Sequence, residues 1–443
     1  MNRKIRLYSA VTLVALFVAG CSGPCATTKP INAPVVTSGS ADFTTYVALG
    51  TSISAGGQSG GLVETHQAHA FPALFAHQVG AGAFTYDRVS PDGIPPLLRL
   101  VSLSPLVVSN EGRTMGAARD LAQSTPYHNL GVYGSLLYDC NNTTYYTTSP
   151  YAIFFGMVAR GQGSLLQQAV ALDPTFLSFE YGANEVLGPA LRGSGELLFD
   201  VPTFTGILNS TLADLHTLLP DAKLAIFNVP NVTSIPFVTT VKPYVVHPTN
   251  GSHIPLLCTV DAAHPYGTLN PDDYVLLTAI ESLHAGTGLL IALGGNGLPL
   301  PDSQVLTASE AASLQAAVDG YNTAIASAAA THDAALVDLH ALFARIATTG
   351  YDFQGAHYSG AFITGGLFSL DGVHPTDFAQ GLLANAMIDA VNMKFGSTIP
   401  LVDLHEVATY TSSRIQPAQE EGGMTWPRVE GLDEMLKVFT ARR

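Results

Sequence analysis

The sequence predicts an α/β protein built on a parallel β-sheet with helices on both faces. Short apolar runs recur along the chain, amphipathic helical patterns lie between them, and the composition is too apolar and too weakly charged for a disordered chain. The runs are residues 46–50 (YVALG), 176–180 (FLSFE), 223–228 (KLAIFN) and 335–338 (ALVD), each ending at or near a turn-forming residue. One helical pattern covers residues 204–219, with Ile207, Leu208, Leu212, Leu215 and Leu219 at three- and four-residue steps. A second opens on a capping box, Thr307-x-x-Glu310, and continues with Leu314, Val318, Tyr321 and Ile325 on one face. A third, residues 378–395, aligns Leu382, Leu383, Met387 and Val391. In such sheets ligands bind at the carboxyl ends of the strands.

The chain of 443 residues divides by composition. Residues 1–20 carry a basic start (Arg3, Lys4, Arg6) and a 14-residue apolar stretch. At ~1.5 Å per residue that stretch is too short to span a bilayer of about 30 Å, so it reads as a signal peptide. Val18-Ala19-Gly20-Cys21 resembles a bacterial lipobox, which implies lipidation of Cys21 and a lipid anchor in the cell envelope. No Asp follows the cysteine, and the resemblance to sorted lipoproteins then implies the outer membrane. Residues 21–44, small, polar and Pro-containing, read as a tether. Residues 45–400 read as the folded domain, interrupted by loop-rich insertions near 58–128 and 231–306. The tail, 401–443, holds the only tryptophan, Trp426, and nine charged residues in its last 24; a short helix packing on the domain is the simplest reading of it.

Charged residues make up only 12% of the chain, about half the ~25% of ordinary soluble domains. Acidic residues outnumber basic ones 34 to 19, a net charge of −15, which argues against nucleic-acid partners. Removing residues 1–20 takes away three basic residues and no acidic ones, leaving −18. Neither the four cysteines nor the 14 histidines show metal-ligand spacing, so no metal or other cofactor is expected. Cys140 and Cys258 form either a disulfide of an exported protein or two separate thiols. The apolar run at 93–109 either lines an acyl pocket, forms a lid, or packs the first insertion.

Four segments carry candidate chemistry. Ser52 lies in Gly50-Thr51-Ser52-Ile53, directly after the first strand, where a strand-to-helix turn exposes a hydroxyl beside backbone N–H donors. Asp371-Gly372-Val373-His374-Pro375, before the last helix, supplies a base and a carboxylate to orient it. Asn184, in Gly182-Ala183-Asn184-Glu185, offers a side-chain N–H donor. Gly131, in Asn129-Leu130-Gly131-Val132-Tyr133-Gly134, offers a close backbone N–H.

In chain order, Ser52, Gly131, Asn184 and His374 resemble the blocks of the GDSL esterase/lipase family, also called SGNH hydrolases. Val229-Pro230-Asn231-Val232-Thr233 is similar to the family's segment after the third strand, and the likeness extends over about residues 45–397. The resemblance implies a flavodoxin-like α/β/α sandwich and a serine hydrolase acting on esters, through an acyl-enzyme on Ser52. It implies His374 as general base and then acid, Asp371 as its orienting group, and an oxyanion hole from the Ser52 N–H, the Gly131 N–H and Asn184. Two departures stand out: Thr51 replaces the Asp of the G-D-S motif, and Glu185 follows the Asn where the family often has Asp. The anchor and the apolar insertion favour acyl-lipid esters. A carbohydrate O-deacetylase, a thioesterase, a decayed binding lipoprotein and a structural envelope protein working through its tail are the alternatives.

Overall fold

The computed structural model describes residues 36–103, 106–259, 266–408 and 428–429. The expected signal peptide, residues 1–20, and Cys21 lie outside the described residues, as does Trp426. Five strands form one parallel sheet: β1 (Tyr46–Gly50), β2 (Asn129–Gly131), β3 (Phe176–Glu180), β4 (Lys223–Phe227) and β5 (Ala335–Val337), in the spatial order β5-β4-β3-β1-β2. β1 is buried along its whole length, as expected of a strand covered on both faces.

The helices that matter to the site are α1 (Ser52–Ala55), α2 (Phe71–Val79), α3 (Leu165–Ala171), α4 (Ala183–Ala190), α5 (Val201–Leu218), α6 (Ala308–Thr331), α7 (Asp377–Phe395) and α8 (Leu404–Ala408). α2 and α7 pack together on one face of the sheet, with α7 against β4 and β5; α3, α5 and α6 cover the other. This is the expected three-layer sandwich. α5 begins one turn earlier than the apolar pattern suggests, because Asp200 caps it by accepting from the Thr203 N–H. The Thr307–Glu310 capping box forms and fixes the start of α6. α7 is buried almost all round, which is why its sequence shows so little polar face.

The amino ends of the strands are closed by aromatic rings. Phe43 meets Phe176 edge-on at 4.9 Å, Tyr46 meets Phe75 at 5.0 Å, and Phe176 touches Phe395. Phe43 thus belongs to the core, so the packed part of the chain includes residues before the expected domain start at residue 45. Residues 37–41 pair with the end of α7 through Ser40 N–H to Phe395 O (2.8 Å) and Thr398 N–H to Thr37 O (2.9 Å).

Within the first insertion the run at 93–109 packs: Ile94, Leu97, Leu98 and Val108 are buried. Its second half is an antiparallel hairpin, Arg99–Leu103 with Leu106–Ser109, and Arg428–Val429 adds a parallel strand to it. At the start of the tail α8 packs on α7, while residues 409–427 and 430–443 lie outside the described residues. Cys140 and Cys258 are two separate buried thiols, so the disulfide alternative falls.

Candidate active site

Three of the sequence-predicted residues meet in one hydrogen-bonded relay. Ser52 is the first residue of α1, whose cap is Thr51. Its Oγ lies 3.0 Å from His374 Nε2, and His374 Nδ1 lies 2.8 Å from Asp371 Oδ2. A carboxylate only accepts, so Nδ1 carries the proton and Nε2 accepts from the serine hydroxyl. All three side chains are nearly enclosed: Ser52 is 4% exposed, His374 2% and Asp371 0%.

The turn bearing His374 is built around Asp371. Its Oδ1 accepts from the N–H groups of Val373 (2.8 Å) and His374 (2.9 Å) and from Ser369 Oγ (3.0 Å), and Oδ2 also accepts from the Gly60 N–H (2.8 Å). Burial would raise this carboxyl, but the facing His374 ring and the N–H donors outweigh it and hold Asp371 below the usual range. Gly372 takes a φ of 70°, and a Cβ there would lie 2.8 Å from Leu277 Cδ1. Its carbonyl accepts from the Phe237 N–H at 2.9 Å. The first insertion thus holds one side of the turn, through Gly60 and a Ser59 N–H bond to Ser369 Oγ (2.9 Å), and the second insertion holds the other.

Tyr133 was absent from the sequence-derived set. Its buried ring packs at 4.8 Å on the His374 imidazole and at 4.8 Å on Phe154, with its hydroxyl 3.3 Å from Nδ1. Burial pushes its phenol well above the usual range, so it stays neutral beside Asp371. An aromatic residue one position before a loop glycine gave no signal in sequence.

Asn184 is the second residue of α4, after the left-handed Gly182. Its Nδ2 donates one proton to Ser135 O (2.8 Å) in the loop following β2, and Glu185 Oε1 accepts from the Leu137 N–H in the same loop (2.7 Å). The Glu that departs from the family pattern therefore braces the loop on α4.

Gly131 does not have the predicted role. Its N–H donates to Asn129 Oδ1 (3.0 Å), and a Cβ there would lie 2.7 Å from Ala55 N. This glycine lets α1 approach β2, and Asn129 Nδ2 completes the junction by donating to Ser54 O (2.8 Å). Gly134, three residues on, is the loop glycine with positive φ (73°), packed against the Tyr151 ring.

A serine–histidine–aspartate relay at the carboxyl edge of a parallel α/β sheet defines a serine hydrolase. The family model of the GDSL-like lipase/acylhydrolases matches residues 46–387, and the chain belongs to that family. It is a carboxylic ester hydrolase. No curated protein is significantly similar to it. Solved structures similar to it include an acetyl-xylooligosaccharide esterase from Geobacillus (11% identity, 79% of this chain and 94% of that one, TM-score 0.35). Others are an extracellular lipase from Streptomyces rimosus (13%, 78% and 98%, 0.33) and phospholipase A1 from Streptomyces albidoflavus (14%, 79% and 98%, 0.33).

Proposed function

We propose that this protein is a membrane-tethered hydrolase of acyl-lipid esters, with Ser52 as nucleophile, His374 as base and acid, and Asp371 as orienting carboxylate. The observation that carries the assignment of roles is the unbroken relay from Asp371 Oδ2 through His374 to Ser52 Oγ. Ser52 Oγ attacks the ester carbonyl carbon while its proton passes to His374 Nε2. The carbonyl oxygen gains the negative charge. As the first residue of α1, Ser52 has an N–H without an intrahelical acceptor, and Asn184 retains a second Nδ2 proton; both serve as oxyanion donors. Collapse breaks the ester C–O bond, His374 protonates the departing alkoxide, and the acyl group remains on Ser52. Water then gives a proton to His374 as its oxygen attacks the acyl carbon; the bond from that carbon to Ser52 Oγ breaks, His374 returns the proton to Oγ, and the acid leaves.

The acyl-lipid preference is supported by the near-complete burial of Ser52 and by the apolar residues of the two insertions that hold the histidine turn, buried Leu62 and Ile94 in the first and Phe237 and Leu277 in the second. The lipobox-like Val18–Cys21 stretch supports the tether and an outer-membrane location. An ester series from acetyl to palmitoyl tests the substrate class: activity rising with chain length is expected, and activity confined to acetyl esters would point to a deacetylase. Cys21→Ala is expected to move the protein from the membrane fraction to the soluble one.

Asn184→Ala is expected to lower kcat by about 10²–10³-fold, the usual value of one oxyanion donor. Steady-state kinetics on a p-nitrophenyl ester measure it, and an unchanged kcat removes Asn184 from the oxyanion hole.

A further inference from the structure

Glu180 is a buried carboxylate at the sheet's carboxyl edge that the relay does not use. It is the last residue of β3, in register with Gly50 of β1, and only 3% exposed. Its Oε2 accepts from the Thr51 N–H (3.0 Å), the Thr51 hydroxyl (2.9 Å) and the Ser54 hydroxyl (2.9 Å); the Thr51 hydroxyl also lies 3.0 Å from Oε1. Thr51 immediately precedes Ser52 and Ser54 follows two residues on, so the carboxylate grips the nucleophile's turn on both sides. Gly50 makes the room: a Cβ there would lie 2.9 Å from Glu180 Oε2 and would overlap Ser54 Oγ.

The arrangement gives meaning to the departure at Thr51. The family pattern has a carboxylate inside the turn; this chain has a hydroxyl there, and a carboxylate reaches it from the neighbouring strand. Burial raises the Glu180 carboxyl above its ordinary range, only partly offset by the Thr51 and Ser54 donors. An acid raised in the folded state loses stability as pH climbs from its unfolded value through the folded one.

We propose that Glu180 is a positioning residue of the reaction, holding the Ser52 hydroxyl and N–H in attack geometry through Thr51 and Ser54. It touches neither substrate nor reacting atoms. The proposal rests on Ser52 being the nucleophile. A misplacement of about 1 Å at a reacting group costs on the order of 10²-fold in rate.

The test combines steady-state kinetics with the rate of labelling by a fluorophosphonate. In that reaction a Ser52 Oγ–P bond forms, the P–F bond breaks, the hydroxyl proton passes to His374 and fluoride leaves. Glu180→Leu, similar in size, is expected to lower kcat and the labelling rate together by about 10²-fold with KM unchanged. Glu180→Gln, whose amide oxygen can still take the Thr51 N–H, is expected to recover most of both rates. Thr51→Val, which removes the hydroxyl that bridges both carboxylate oxygens, is the second variant, with a several-fold loss of kcat expected. A folded Glu180→Leu protein with wild-type kcat and labelling rate overturns the proposal, as does a loss confined to KM. If Glu180→Leu does not fold, a wild-type kcat in Thr51→Val overturns it. Failure of the wild-type protein to label at Ser52 would instead overturn the assignment of the nucleophile.

Discussion

Ser52→Ala is expected to abolish turnover of a p-nitrophenyl ester, with a loss on the order of 10⁶-fold in kcat where nucleophile and base act as one unit. Ser52 Oγ is the hydroxyl bonded to His374 Nε2. The nearest replacement in the same helix, Ser54, gives its proton to Glu180 and belongs to the opposite side of the turn. Removing Oγ leaves the oxyanion donors without an attacking atom, and water reaching His374 supplies only a slow substitute. The substitution deletes one small atom at the first position of a helix, where alanine is well tolerated, so the melting temperature should barely move. Loss of activity with retained folding and loss of fluorophosphonate labelling make up the expected result; full activity in the variant would remove Ser52 from the chemistry.

Asp371→Asn is expected to cost about 10⁴-fold in kcat while keeping the residue's size. The carboxylate accepts at both oxygens: Val373, His374 and Ser369 donate to Oδ1, and Gly60 and His374 Nδ1 to Oδ2. Whichever way an amide turns, its NH₂ faces hydrogen-bond donors. Facing the ring, it forces Nδ1 to accept, so that Nε2 carries the proton and no longer takes one from Ser52. The same change leaves buried N–H groups unpaired, at roughly 1–3 kcal/mol each. Because the folded carboxyl lies below its unfolded value of about 3.9, its contribution is complete above that pH and fades as pH falls through the folded value. The stability gap between wild type and variant in urea melts should therefore be wider at pH 7 than at pH 3. An equal gap at both would show that ionisation of Asp371 contributes nothing to the fold.

Much of this architecture was readable in the chain. Four strands announce themselves as apolar runs of four to six residues, and the capping box at Thr307 marks a real helix start. β2 does not, because it is three residues long, begins with Asn129 and ends with Gly131; only its pairing with β1 makes it a strand. The same residues misled the oxyanion assignment. A glycine in a loop and a glycine that admits a crossing helix look alike in sequence, and the bond from its N–H to Asn129 exists only once the strand is formed. Ser52, Asp371 and His374 were legible because each sits in a compact local motif. Glu180 and Tyr133 were not, since one closes an apolar run and the other precedes a loop glycine; their partners come from segments 126 to 241 residues away.

The pinning of the histidine turn has a kinetic side. Ser52 and His374 are separated by 322 positions, and Gly60 and Asp371 by 311. Each contact closes a very long loop, whose entropy must be met before the contact is rewarded. No early fragment of the chain can hold the relay, and the first insertion must be seated before Asp371 has its full set of donors. Catalytic competence is thus a late milestone of folding, reached after the sheet and its aromatic floor, and recovery of esterase activity after dilution from denaturant should trail recovery of secondary structure.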